Sequence, residues 1–231
     1  YEKYQVRRYG FHGTSHRYVS NRLSEIWGTS LEGKKVIVAH IGNGSSLSAI
    51  KDGKVIDTTM GITPLDGFIM GSRCGGVDPS AITYIQAKEG LTPSETDQMM
   101  NKKSGLLGIS GVSSDMRDVE IAAANGNERA QLALDILDYQ VTKYLGAFIA
   151  ALGGVDAICF TAGVGENAPE FRERICENLS YIGVKIDKEA NHCRGKEVKI
   201  STPDSKVEVY IIPTNEELMI ARDTKAIVEN L

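Results

Sequence analysis

Apolar residues along the 231-residue chain recur with two periods, and the changes of period divide it into elements. Val36-Ile37-Val38-Ala39 is almost continuously apolar, the pattern of a central strand buried on both faces. The pattern predicts three consecutive strands over residues 35–40, 46–50 and 55–59. Asp52-Gly53 supplies a type I′ hairpin turn between the second and third. Over residues 127–152 the period becomes three and four, through Ala130, Leu134, Leu137, Val141, Tyr144, Leu145, Phe148 and Leu152. This is the core stripe of the longest helix, with Gly153 as its stop. Further strands are predicted over residues 156–160, 198–201 and 207–212.

Polar punctuation sets the remaining helices. Thr14 and Ser15 read as N-caps of a helix over residues 16–27. Asp78-Pro79 opens a second cleanly, and Thr92-Pro93-Ser94-Glu95 is a capping box for a third. Residues 104–114 read as a Gly/Ser-rich connector, and Ser113 to Asp118 opens the next helix, with Asp115 as a first-turn acid. Asn167-Ala168-Pro169-Glu170 caps a helix with Phe171, Ile175 and Leu179 on one face. Thr214-Asn215-Glu216-Glu217 is a capping box for the last helix; Glu217 at N3 belongs to the box, and Glu216 is not needed for it. Strand and helix order, βββαβαβα, gives an α/β domain of mixed sheet, without the P-loop or doubly wound dinucleotide signatures.

Composition narrows the function classes. A net charge of −4 provides no basic footprint for nucleic acid or an anionic membrane, so phosphate would have to be held by local loops. The four cysteines form no CxxC pair, and Cys159 lies in an apolar run. That usage suits a reducing cytoplasm. His192-Cys193 lacks a second ligand pair at zinc spacing. The apolar stretch over residues 144–165 is broken by Gly153-Gly154 and Asp156, short of the ~20 apolar residues of a membrane span. The chain opens on mixed charge without an initiator methionine, and is expected to begin within a longer protein.

Four loops carry candidate chemistry. His40-Ile41-Gly42-Asn43-Gly44-Ser45-Ser46 joins two strands; it is either an ordinary Gly-rich hairpin loop or a nest of N–H groups for phosphate. Tyr9-Gly10-Phe11-His12-Gly13-Thr14-Ser15-His16 is either a capped helix with incidental histidines or a site where His12 meets an anion at a helix N-terminus. Arg73, set in the Gly-punctuated stretch from Met60 to Gly76, is a surface charge or a bidentate anion ligand. Thr161-Ala162-Gly163-Val164-Gly165-Glu166-Asn167 follows a buried strand and precedes a helix, an arrangement that grips nucleotides.

Taken together these motifs, with Thr59-Met60-Gly61-Ile62-Thr63-Pro64-Leu65-Asp66-Gly67, Met70-Gly71-Ser72-Arg73-Cys74-Gly75 and Pro213-Thr214-Asn215-Glu216-Glu217, resemble the acetate kinases of the actin–Hsp70–sugar-kinase superfamily. The resemblance covers essentially the whole chain. It implies an actin-like ATPase (ribonuclease H-like) domain with helices on both faces of the sheet. It implies phosphoryl transfer between ATP and acetate, giving ADP and acetyl phosphate, with Mg²⁺. By resemblance His12 and Arg73 stabilise charge on the phosphoryl group in flight. His40, Ile41, Gly42, Asn43 and Gly44 hold the ATP phosphates. Asp115, Met116 and Arg117 lie near ribose and adenine; Gly163, Val164, Gly165, Glu166 and Asn167 form the adenosine loop; and Glu216 is a magnesium-associated carboxylate. The family has two similar domains, and residues 1–231 match only the C-terminal, nucleotide-binding one. The N-terminal domain, with the acetate arginine and an essential aspartate, is the missing partner, and this piece alone is expected to lack turnover. A homodimer in the cytoplasm is implied. The alternatives are a propionate kinase and a non-catalytic nucleotide-binding module.

Overall fold

A computed structural model describes residues 1–230. The chain falls into two compact units. One holds residues 1–11, 42–46 and 59–144; the other holds residues 12–41, 47–58 and 145–231.

The sheet-bearing unit begins with α1 (Gly13–Trp27) and the strand β1 (Lys35–Ile41). The strands β2 (Ser45–Lys51) and β3 (Lys54–Thr58) follow as a hairpin. Asp52 and Gly53 turn it with φ of 51° and 73°, both positive as a type I′ turn requires. β4 (Ala157–Thr161), β5 (Val198–Lys199) and β6 (Glu208–Ile211) complete a six-stranded sheet of order β3-β2-β1-β4-β6-β5. β4 runs parallel to both β1 and β6, and β5 closes the far edge antiparallel. The apolar run of β1 is central, as its pattern predicts. Val36 and Val38 pack with Val19 and Leu23 of α1, Ile50, Cys159, Tyr210 and Ile212. Ile37 and Ala39, which alternate to the other face, are equally buried. Burial pushes the Cys159 thiol far up, as expected of a core cysteine.

The other unit is helical: α2 (Pro79–Glu89), α3 (Pro93–Lys102), α4 (Gly105–Ser110) and α5 (Met116–Ala124), followed by the first part of α6 (Glu128–Leu152). α6 passes from this unit into the sheet-bearing one at residues 144–145. Of the predicted stripe, Ala130, Leu134, Leu137 and Val141 are buried in this unit. α6 also holds the irregular stretch ahead of α2. The Gln140 Oε1 accepts from the Ile69 N–H at 2.8 Å, the Tyr144 hydroxyl donates to the Gly67 carbonyl at 3.1 Å, and the Tyr144 ring lies 5.9 Å from that of Phe68. Asp78 caps α2 and the Thr92–Glu95 box caps α3 as predicted.

Several local expectations are corrected. The expected order βββαβαβα becomes αβββαβαββα, with α1 ahead of the meander and β5 and β6 both ahead of the last helix. Thr14 and Ser15 do not cap α1, because His12 occupies the N-cap in the left-handed region. The connector over residues 104–114 contains the short α4. Asp115 caps α5, accepting from the Arg117 N–H. The segment Gly163–Asn167 is not open loop: β4 passes directly into α7 (Ala162–Asn167). Asn167 does not cap the next helix, α8 (Pro169–Asn178); its amide donates to the Gly163 carbonyl. A 3-10 turn (Ser180–Ile182) and α9 (Lys188–Asn191) follow. The last helix, α10 (Glu216–Val228), is capped by Asn215 rather than Thr214, which moves Glu216 to N1 and Glu217 to N2. Among the described residues no helix is long and apolar enough to cross a membrane.

Candidate functional site

In the sheet-bearing unit the candidate residues gather at the carboxyl ends of the parallel strands β1, β4 and β6. His40, near the end of β1, is paired in register with Thr161 at the end of β4. Phe160 is paired with Ile211 at the end of β6. Three segments leave that edge: residues 40–41, α7, and the turn through Thr214 into α10. Ligands of open α/β sheets bind at such edges.

His12 reaches the same neighbourhood from the N-cap of α1, with φ of 57°. Its ring stacks on that of His40, 3.9 Å between centroids and 14° between planes. His16, one helical turn on, lies 6.1 Å from His40, centroid to centroid. Ser15 is fully buried, and its hydroxyl lies 2.9 Å from the His40 Nδ1. Burial, then the neighbouring His12, pushes His40 down to about 3. Burial, then His40 and His12, does the same to His16. Both rings are therefore neutral donors near neutral pH, and an anion meeting them is not met by an added positive charge there.

α7 is fixed by one carboxylate. The Glu166 Oε1 accepts from the Ala162 N–H at 2.7 Å, the Thr161 hydroxyl at 3.3 Å and the Thr214 N–H at 3.1 Å. It thus ties the start of α7 to the turn before α10. The Ala162 backbone it bonds is left-handed, φ 67°, a strained region for a residue with Cβ. The two glycines of α7 differ: a side chain on Gly163 would meet open space, whereas one on Gly165 would lie 3.5 Å from the Ala39 carbonyl. Gly163 faces open space, and Gly165 is a packing position against β1. The Gly165 carbonyl accepts from Arg172 at 3.0 Å. Arg172 is completely buried and also donates to the Asn191 side chain and to the carbonyls of Asn191 and Cys193. Glu216, in the first turn of α10, is exposed, as is Glu217.

In the helical unit the loop carrying Asn43 meets the loop carrying Arg73. The Gly71 N–H donates to the Asn43 carbonyl at 3.2 Å. A Cβ on Gly71 would stand 1.9 Å from the Asn43 Oδ1 and 2.6 Å from the Ser114 carbonyl, so only glycine lets these backbones approach. The Arg73 loop is held from beneath by N–H donors of Ser104, Leu106 and Leu107 to the carbonyls of Ser72, Met70 and Gly71. The Arg73 guanidinium touches only neutral acceptors, the Pro64 carbonyl at 3.2 Å and the Met70 Sδ at 3.6 Å. No carboxylate among the described residues pairs with it. Arg8 contrasts with it, being paired with Asp66 at 3.1 Å. Gly42 and Ser45 close the turn after β1, the Ser45 hydroxyl donating to the Gly42 carbonyl at 2.9 Å. Asp115 and the exposed Arg117 form an ion pair at 2.5 Å, and the bonds from Arg117 hold the Asp115 carboxyl down at about 2. Met116 is buried.

Sequence reasoning missed Ser15, His16 and Arg172 as parts of this site. A buried serine facing a histidine 25 residues away leaves no local signature. No group of three or more metal-ligating side chains occurs among the described residues. Glu216, exposed in the first turn of α10, could serve a cation held mainly by phosphate oxygens and water, as Mg²⁺ is.

Known proteins share this architecture over its full extent. The chain is 57% identical to an acetate kinase of Halothermothrix orenii over 230 residues, covering 100% of this chain and 58% of that protein. It is 60% identical to one of Thermosipho africanus, covering 99% and 57%. The crystal structure of Porphyromonas gingivalis acetate kinase superposes with a TM-score of 0.95 at 52% identity, over 98% of this chain and 57% of that one. A propionate kinase from Francisella tularensis superposes with a TM-score of 0.88 at 44% identity, over 95% and 56%. The chain therefore spans somewhat over half the length of these relatives. Residues 1–222 match the Acetokinase family, and the chain belongs to that family.

Proposed function

We propose that residues 1–231 are the C-terminal, nucleotide-binding half of an acetate kinase, which transfers the γ-phosphoryl group of ATP to acetate. The observation that carries this reading is the stacked His12–His40 pair at the carboxyl ends of parallel strands, in a chain similar to acetate kinases throughout. An acetate oxygen forms a bond to the γ-phosphorus while the bond from that phosphorus to the β,γ-bridging oxygen breaks, and ADP leaves. The acceptor needs no general base, because acetate is already ionised at neutral pH. His12 and Arg73 donate to the equatorial oxygens, where transition-state charge resides. His40 to Gly44 hold the phosphates. Asp115 to Arg117 and Gly163 to Asn167 border ribose and adenine, with Glu166 acting as the brace that shapes its own loop. Mg²⁺, when bound, neutralises phosphate charge, and Glu216 is the residue assigned to hold it.

The reading includes a missing N-terminal domain, homodimer formation and a cytoplasmic place. It is tested by intact mass and a hydroxamate assay with acetate, ATP and Mg²⁺. The 25.1 kDa chain is expected to bind nucleotide without making acetyl phosphate, and the longer protein to turn over and to lose activity on Arg73→Ala. Turnover by the 25.1 kDa species would overturn the two-domain reading. Similarity to a propionate kinase supports a second reading, propionate as acceptor, which the acid chain-length selectivity of the longer protein decides.

A further inference from the structure

Ser15 has no role in the family reading above. Its side chain is fully buried in the first turn of α1. The one hydrogen-bond partner of its hydroxyl among the described residues is the His40 Nδ1, at 2.9 Å. A buried hydroxyl carries one proton that needs an acceptor. If the His40 Nδ1 carried a proton, two donors would face each other across part of the hydroxyl's range, and the serine proton would be left without an acceptor. With a bare Nδ1 the hydroxyl donates to it and every group is satisfied. The other ring nitrogen, Nε2, has no partner among the described residues and is not sealed from solvent. His12 covers one face of the ring at 3.9 Å, so the ring plane is fixed as well as its tautomer.

We propose that Ser15 is a positioning residue: its hydroxyl donates to the His40 Nδ1 and holds that ring as the Nε2–H tautomer, presenting a neutral N–H donor to a phosphate oxygen of the bound nucleotide. The nucleotide part rests on the function proposed above; the tautomer does not. Burial keeps the ring neutral, His40 lying at about 3, so one tautomer can persist across the neutral range. A metal or imidazole acceptor role for Nε2 is excluded in that state, since the nitrogen is a donor.

The test is long-range ¹H–¹⁵N correlation on the histidine-labelled 231-residue chain, with His40 assigned by the loss of its signals in His40→Gln. The expected spectrum has a protonated Nε2 and a bare Nδ1 on His40 from pH 5.5 to 8. Ser15→Ala is expected to give a mixture of tautomers and to weaken MgATP binding about tenfold; Ser15→Thr, which keeps the hydroxyl, restores both. A role in packing alone would leave the tautomer unchanged in Ser15→Ala, and that result overturns the proposal. So does a Nδ1–H tautomer in the unsubstituted chain, a reading that stands even where Ser15→Ala fails to fold. An Nε2–H tautomer that is lost in Ser15→Ala and restored in Ser15→Thr, in a chain that does not bind MgATP, supports the role of Ser15 and counts against the kinase reading instead.

Discussion

The ring of His12 lies over that of His40, 3.9 Å between centroids, and His16 stands 6.4 Å from His12 on the next turn of α1. Three imidazoles this close cannot all carry charge. The fold resolves the conflict by burying two of them.

That burial makes stability depend on pH. His16 and His40 sit at about 3 in the folded chain, against 6.5 when exposed. Between those values the unfolded chain binds more protons than the folded one, so stability rises with pH. The contribution is complete above pH 6.5 and is lost as pH falls towards 3. Lowering the pH from 7.5 to 5.5 is expected to reduce the unfolding free energy by on the order of 1 kcal/mol for each ring. Urea titrations at the two values measure it. Replacing His16 by Leu should remove about half of that pH dependence; an unchanged slope would show that the rings are not the source.

Arg73 is expected to behave as a functional rather than a structural residue. Its contacts are a carbonyl at 3.2 Å and a thioether at 3.6 Å, so Arg73→Ala should change stability by no more than about 0.5 kcal/mol. In the longer protein the same change should lower kcat by about 10²–10³-fold, the usual cost of removing one transition-state donor. Arg73→Lys should recover little, because an ammonium lacks the planar fork. Loss of folding in Arg73→Ala, read by thermal melting, would place the residue in the scaffold instead.

Most strands and the long helix were legible because each depends on a local pattern. The apolar run of Val36 to Ala39, the Asp52-Gly53 turn and the stripe on α6 need no distant partner to be read. Helix starts were less legible. Ser15 has the chemistry of an N-cap, yet its hydroxyl is drawn to His40, and His12 takes the cap without a side-chain bond. Likewise Asn167 turns back to the Gly163 carbonyl, and α7 winds where loop was expected. The resemblance pointed to Gly163 to Asn167, but not to Glu166 being committed to backbone donors or to Arg172 sitting buried beneath α7. Those roles depend on groups many residues away, which a local pattern does not encode.

Gly71 is expected to tolerate no side chain. A Cβ would lie 1.9 Å from the Asn43 Oδ1 and 2.6 Å from the Ser114 carbonyl. The asparagine can rotate away; the backbone carbonyl cannot. Gly71→Ala should therefore cost about 1–3 kcal/mol, the range for overpacking. Nucleotide affinity should fall with it, since the displaced segments carry Asn43 and lead into Asp115. Calorimetric melting and MgATP titration report the two effects, and a variant as stable as the parent would mean the loops can separate at no cost.

Glu166 separates bracing from charge. One of its oxygens accepts from Ala162, Thr161 and Thr214, so what the fold needs is an acceptor, not an anion. Glu166→Gln keeps a carbonyl oxygen there and should cost no more than about 1 kcal/mol. Glu166→Ala leaves the buried N–H donors without a partner and should cost about 2–3 kcal/mol. Because the brace joins α7 to the turn that precedes Glu216, Glu166→Ala should also weaken nucleotide binding, while Glu166→Gln leaves it nearly intact. If the glutamine variant lost binding but kept its stability, the carboxylate charge itself would be part of the nucleotide site, and the bracing role would account for only the structural half of its work.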